Sequence, residues 1–462
     1  MFSKRQSFVK GALIISAGGL ISKLLGAIYR VPLIAFLGGK GMGIYQMVYP
    51  LYCMLLTVSA SGLPTGVAKL VAYGKNGAEK RALYVYAVVG AIGSLAMFSC
   101  AKLLAFVQGE QSVEQCAKIL SPSVFFVSIT SVIRGYYQGK GNMLPTATSE
   151  IIEQIIKVAL GSLLCFIYRA DVIKAVKLAV LAVTISEVVA TIYVALLYGK
   201  EGGKTKPLFK QKTVSIREIL RTTLPLTISS LALPASQFLE SVVAIRLLRA
   251  TGLDATTLYG IYSGCAVALV GMPVSVMYGL AVSSVPLVAP AVAKGDFSKA
   301  KAYVKKTIAL TFLLSLPCAV ALYVFCPIAS KILFSSLAVD ERLLLIKLVR
   351  ITCINTVTQS LVQTSSACLT ALGKPLFSSV SQWFSCLARV GLTALLLTFT
   401  NLSIVGVAIS ANCSYLVAII SNIWYIIRVE KKSLKGEIVA NDNFNRSWHS
   451  PRRRHDGGGV RA

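Results

Sequence analysis

Apolar stretches of about eighteen or more residues recur along almost the whole 462-residue chain, and that recurrence excludes most folds at once. In hydrocarbon a backbone N–H or C=O finds no water, so only helices and closed barrels can span it. The runs are continuous rather than alternating in strand-length pieces, which leaves an all-α polytopic membrane protein. Composition agrees, with 55% hydrophobic and 14% charged residues. Twelve spans are expected, at 8–37, 43–72, 82–107, 117–138, 145–168, 175–199, 218–245, 257–291, 303–330, 343–371, 375–399 and 402–428. The second and eighth are over-long and hold Pro50 and Pro64, and Pro273 and Pro286, so bends or breaks are expected there. The first apolar run is too long for a signal peptide and reads as an uncleaved first span.

The net charge of +29 would suggest nucleic acid in a soluble domain. Here the basic residues sort by side. Segments facing the side of the N-terminus carry 25 lysines and arginines, and those facing the other side carry nine. The positive-inside rule then puts both termini in the cytoplasm and removes the need for a nucleic-acid partner. The basic stretch 200–217 reads as a cytoplasmic linker held by anionic lipid. The polar tail 429–462 reads as disordered. Eleven cysteines form no CxxC pair, and the two histidines, His449 and His455, lie in the tail. No metal site or histidine proton relay is therefore expected at membrane depth.

The chain repeats itself. Gly43-Ile44-Tyr45 returns as Gly260-Ile261-Tyr262, and Gly62-Leu63 as Gly279-Leu280. Further on, Gly141, Ser149, Lys157-Val158 and Leu160 match Gly373, Ser381, Arg389-Val390 and Leu392. The colinearity of these matches, with six spans in each half, predicts two parallel lobes, 1–199 and 218–428.

A charge at bilayer depth costs several kcal/mol unless it meets water, a counter-charge or an anionic ligand. Lys23 and Arg30 lie two turns apart on one face of the first span. Either Arg30 snorkels to a headgroup while Lys23 pairs with a carboxylate, or both line a polar cavity and meet an anionic substrate. Glu150, Glu153 and Lys157 share a face of the fifth span, where Glu153 and Lys157 can pair internally or face a cavity. Glu187 in the sixth span is a further neutralising carboxylate. In the proline-bent seventh span, Gln237 and Glu240 share a face. Glu240 suits either a coupling-ion site or a counter-charge for Lys23 or Arg30. Asn355, Gln359 and Gln363 form a hydrophilic stripe on the tenth span, facing a wet cavity or a neighbouring helix.

No catalytic constellation or nucleotide-binding loop is present. The chain is therefore expected not to be an enzyme and to need no cofactor. Transport by such a chain would be driven by an ion gradient (Na+ or H+), a membrane potential or a substrate gradient.

The run Ser22-Lys23-Leu24-Leu25-Gly26-Ala27-Ile28-Tyr29-Arg30-Val31-Pro32-Leu33 resembles the first helix of the stage V sporulation protein B group of polysaccharide-biosynthesis membrane proteins. So do Gly43-Ile44-Tyr45-Gln46, Ser61-Gly62-Leu63-Pro64 with Ala68-Lys69-Leu70-Val71, and Leu258-Tyr259-Gly260-Ile261-Tyr262. That group belongs to the multidrug/oligosaccharidyl-lipid/polysaccharide (MOP) exporter superfamily, with the MurJ-type lipid II flippases and the MATE drug exporters. The resemblance implies two six-helix lobes around a central cavity in a bacterial cell membrane. It also implies a flippase of an isoprenoid-diphosphate-linked oligosaccharide working by alternating access; a monomer is expected. Through the Ser-basic-x-x-Gly match it assigns Lys23, then Arg30, to the diphosphate. Members commonly carry fourteen helices against the twelve counted here, and aspartate where this chain has Glu240. A MATE-type multidrug exporter and a non-transporting scaffold for wall or spore-coat synthesis are the alternatives. The basic first-lobe residues favour an anionic head group over cationic drugs.

Overall fold

The computed structural model describes residues 8–72, 78–202 and 215–434. Most of the linker (203–214) and the tail from 435 lie outside them. Helix continues through 429–434, six residues into the expected tail, and through 200–202 and 215–217 at the edges of the linker except for Ser215, which caps the next helix.

The described residues are helical rods joined by short turns. In chain order the helices are α1 (Phe8–Leu56), α2 (Leu63–Ala72), α3 (Ala78–Gln108), α4 (Ser112–Gly139), α5 (Leu144–Ile167), α6 (Val172–Gly202) and α7 (Ile216–Ala250). Then follow α8 (Ala255–Tyr259), α9 (Val267–Ala293), α10 (Phe297–Leu333), α11 (Val339–Thr352), α12 (Ile354–Ala371), α13 (Pro375–Phe399) and α14 (Ile404–Leu434). No strand occurs among the described residues.

Nine of the described helical segments are long and apolar enough to cross a membrane, ten if the bent α11–α12 pair counts as one span. Twelve were expected, and two physical features bear on the lower count. The stretch Leu13–Ala72 amounts to about 90 Å of helix, three times a hydrocarbon core. It breaks at Gly38, whose φ of 63° and ψ of −172° lie outside the helical region and favour a residue without Cβ. The other feature is α5, whose Glu150, Glu153 and Lys157 lower its hydropathy. Along α3, α10 and α13 large apolar side chains such as Leu95, Phe106, Leu313, Leu387 and Phe399 point outward. Such a continuous apolar exterior is stable in lipid and not in water.

The expected breaks in the second and eighth spans exist, the first immediately before Gly62 and Pro64 and the second at Gly260, away from Pro273 and Pro286. They are π-helical turns at Thr57–Ser61 and Gly260–Ala266. A π turn withdraws carbonyls from the regular ladder and leaves them for other partners. A further bend, of 43°, separates α11 from α12.

The first six rods pack mainly on one another, as do the last six, giving two lobes. They meet through α1, α2 and α3 on one side and α7, α8, α9 and the Gly260–Ala266 turn on the other. One end of the bundle (distal) carries the turns near 38, 110, 170, 252, 336 and 401; the opposite end (proximal) carries the described chain ends. At the distal end a single core crosses both lobes, joining Leu33, Ile34, Met47 and Val176 to Leu248, Ile261, Phe334 and Leu345. Towards the proximal end the cores divide. Val288, Val304, Leu369 and Ile426 cluster within the second lobe, and Ile133, Tyr136 and Val194 within the first. Ile219 of α7 reaches across to Leu63, Val67 and Tyr86 in a small third cluster.

The closest approach of the lobes falls on the repeat itself. A Cβ on Gly43 would lie 2.0 Å from the Thr256 carbonyl oxygen, and one on Gly260 would lie 2.2 Å from that of Gly39. The two copies of Gly-Ile-Tyr therefore sit back to back, and glycine is what allows the backbones to touch.

Candidate functional site

Three polar constellations occupy the interior. The first lies between the lobes. Lys23, exposed on α1, holds its Nζ 3.3 Å from the ring centroid of Tyr278 on α9, a cation–π contact. Its electrostatic partner is Glu150 on α5. Seven residues further along the same face, about 10 Å towards the distal end, Arg30 is half-buried. It donates from Nη1 to the Ser263 carbonyl at 3.2 Å, and Gln46 Nε2 donates to the same oxygen at 3.4 Å. Ser263 lies in the π turn, which explains why its carbonyl is available. Arg30 thus reaches the π turn and Lys23 reaches α9, two successive parts of the expected eighth span, with Lys23 nearer the proximal end, where the common core has given way to a separate core in each lobe. Arg30 is part of the distal seal, and Arg249 bonds there to the Gly109 carbonyl.

The second constellation is inside the first lobe. Arg134 of α4 bonds through Nε to Ser149 Oγ at 2.8 Å and pairs through Nη2 with Glu153 Oε2 at 3.3 Å. The internal Glu153–Lys157 pair that the spacing allowed is therefore replaced by an interhelical one. The arginine spans α4 to α5 and secures a serine as well. Lys157 is buried and near Glu187, without an ion pair to it among the described residues. Glu187 Oε1 accepts a hydrogen bond from Tyr52 at 3.2 Å.

The third is inside the second lobe. Glu240 of α7 is 1% exposed, and its Oε2 is 2.7 Å from Nη2 of Arg389 on α13, itself 5% exposed. Tyr262 donates to Glu240 Oε1 at 3.5 Å and accepts from Arg389 at 3.4 Å. Glu240 is thus a counter-charge, but for Arg389 of its own lobe rather than for Lys23 or Arg30 across the interface. Gln237, on the preceding turn of α7, is half-buried and makes no hydrogen bond among the described residues. Beside the pair opens a cavity of about 80 Å³ lined by residues of α7, α12, α13 and α14, among them Gln359, Gln363 and Arg389. Two of the three stripe residues thus face a cavity. Asn355 is buried and accepts from Thr358.

Arg389 is the residue the sequence reading left out of the site. Its signal was present, because it stands at the repeat position of Lys157. The described residues hold no cluster of three or more His, Cys, Asp or Glu side chains able to bind a metal.

Two helical lobes, an apolar exterior, buried charge inside each lobe and an interface sealed at one end define a polytopic membrane transporter. A polysaccharide biosynthesis protein family model matches residues 8–291, and a MatE family model matches 225–395. The chain belongs to the polysaccharide biosynthesis protein family, within the MOP superfamily. It is 27% identical over 352 residues to stage V sporulation protein B of Bacillus subtilis (strain 168), covering 72% of this chain and 68% of that one. With lipid II flippase MurJ of the same strain it shares 21% identity, covering 68% of this chain and 63% of the relative. A multidrug resistance MATE family transporter of the MOP superfamily, solved in an inward-facing conformation, superposes with a TM-score of 0.73. That likeness covers 92% of this chain and 100% of that one at 18% identity, which speaks for the fold alone.

Proposed function

We propose that the protein flips an isoprenoid-diphosphate-linked oligosaccharide across the cytoplasmic membrane by alternating access. The observation that carries this reading is Lys23, an exposed lysine on the lobe interface, held on the Tyr278 ring proximal to the core common to both lobes. The loop charges support termini in the cytoplasm, which makes the proximal end, away from the common core, the one that opens to the cytoplasm. An ammonium there attracts a diphosphate as a compact point charge. Arg30, engaged on Ser263 while the distal end is sealed, is released when that end opens and becomes the next diphosphate contact on the outward path. One chain carries both lobes and works as a monomer. An ion gradient drives the cycle, and a proton or Na+ competes with Arg389 for Glu240.

The kinship with a lipid II flippase supports the same substrate class. The MatE match favours a multidrug exporter as the second reading, but a basic opening repels cationic drugs. The test is outward movement of a labelled lipid-linked disaccharide in proteoliposomes. Wild-type protein is expected to move it, and Lys23→Ala to slow it at least tenfold. Full transport by a correctly inserted Lys23→Ala variant, or efflux of cationic dyes in place of the lipid, would overturn the proposal.

A further inference from the structure

The cavity of the second lobe holds polar groups that no helix contact uses. Gln363 Oε1 and Arg389 Nε are buried without a hydrogen-bond partner, and both residues line the cavity. Gln359, beside them, makes no hydrogen bond among the described residues, while Gln382 reaches only Ser366, at 3.5 Å. A buried, unpartnered amide or guanidinium N–H costs on the order of 1–3 kcal/mol. Their convergence on one space therefore marks a place for a polar occupant.

The character of that occupant follows from charge and shape. Glu240 at 2.7 Å already neutralises Arg389, and no second cation lines the cavity, so an anion gains little there. A cation in the cavity would face the guanidinium and not Glu240, which does not line it. An apolar molecule would leave the amides and Nε unpaired. What remains is a neutral group that both donates and accepts, as hydroxyls do. The Tyr415 ring, 5.8 Å from the Arg389 guanidinium carbon, supplies one flat apolar wall. At about 80 Å³ the space holds on the order of six water molecules, which suits one sugar unit rather than a whole oligosaccharide.

We propose that Gln359, Gln363 and Arg389 form a saccharide subsite in the second lobe, which takes a sugar unit of the lipid-linked substrate while Lys23 takes its diphosphate. The subsite rests on the reading of the protein as a carrier of a sugar-bearing lipid diphosphate. It adds that the two lobes divide the head group, charge to the first and hydroxyls to the second.

The experiment compares binding of two probes to the purified full chain in nanodiscs: a polyisoprenyl diphosphate, and the same lipid bearing an N-acetylated disaccharide. The sugar-bearing probe is expected to bind about tenfold more tightly. Gln359→Met and Gln363→Met, which keep volume and remove hydrogen bonding, should each erase about fivefold of that advantage, as loss of one net hydrogen bond does. Both variants should bind the bare diphosphate as wild type does, which shows that they are folded. Lys23→Ala should weaken both probes alike. Equal wild-type affinity for the two probes, or glutamine variants indistinguishable from wild type, overturns the subsite and leaves the carrier reading standing. Failure of wild type to bind either probe overturns both.

Discussion

Replacing Gly43 by alanine tests the distal seal directly. The added Cβ would lie 2.0 Å from the Thr256 carbonyl oxygen and 2.8 Å from its carbon, whereas ordinary contact begins at 3.4 Å. The obstructing atoms are backbone, so no side chain can rotate away, and the helices must part by roughly 1 Å or more. Overpacking of this kind costs about 1–3 kcal/mol. The clash exists only while the lobes touch, so the whole cost falls on the sealed state. At 1.4 kcal/mol per factor of ten, the balance moves towards distal opening by about 5- to 150-fold. Cys265 reports the change, being completely buried in the π turn beside the contact. Labelling by a membrane-impermeant maleimide from the distal side, followed by mass spectrometry, should accelerate by a factor in that range. Gly391→Ala, whose Cβ meets nothing within 4 Å, should label as wild type does. An unchanged Cys265 rate in Gly43→Ala, with the protein folded and inserted, would refute the argument that this crossing closes the distal end.

Glu240→Ala leaves the Arg389 guanidinium buried without its counter-charge and should destabilise the protein by about 3–5 kcal/mol. Glu240→Leu with Arg389→Met should recover most of that in thermal unfolding, and a double variant no better than the single would sink the pairing argument. Arg30→Ala should leave diphosphate binding from the cytoplasmic side near wild type and slow translocation, whereas Lys23→Ala should weaken the binding itself. Equilibrium binding and proteoliposome flux separate the two. At the start of α10, outside the membrane, Asp296 accepts the Lys299 N–H at 3.1 Å and pairs with its ammonium at 3.0 Å. These bonds hold its carboxyl below the usual carboxylate range. A depressed pKa stabilises the folded state above the unfolded carboxyl's pKa, and the contribution is lost as pH falls through the depressed value. The protection factors of the Lys299 and Ala300 amides, taken relative to intrinsic exchange at each pH, should therefore fall under acid conditions, and Asp296→Ala should show the lower protection already at neutral pH.

Much of this architecture was legible along the chain because its causes are local. A helix in lipid must satisfy its backbone within itself, so apolar runs locate the rods. The repeat pointed to paired lobes, and Lys23 stood out as a charge with no local partner. What was not legible depended on the rotation and lateral packing of helices. Glu153 could reach Lys157 on its own helix, yet the structure gives it to Arg134 on another. The break in the eighth span falls on a π turn rather than on its prolines, and the interface uses the carbonyl released there at Ser263.

The sequence by itself thus determined a polytopic helical protein with a doubled plan and a cation at Lys23, since burial of the peptide group in hydrocarbon admits few alternatives. Only the tertiary structure decided the partners of the other charges. It joined Glu240 to Arg389, engaged Arg30 in the distal seal and set Gln359 and Gln363 on a common cavity. Ion pairs and cavities arise where separate helices turn particular faces to one another, and side-chain packing across both lobes sets those rotations, which no single segment encodes.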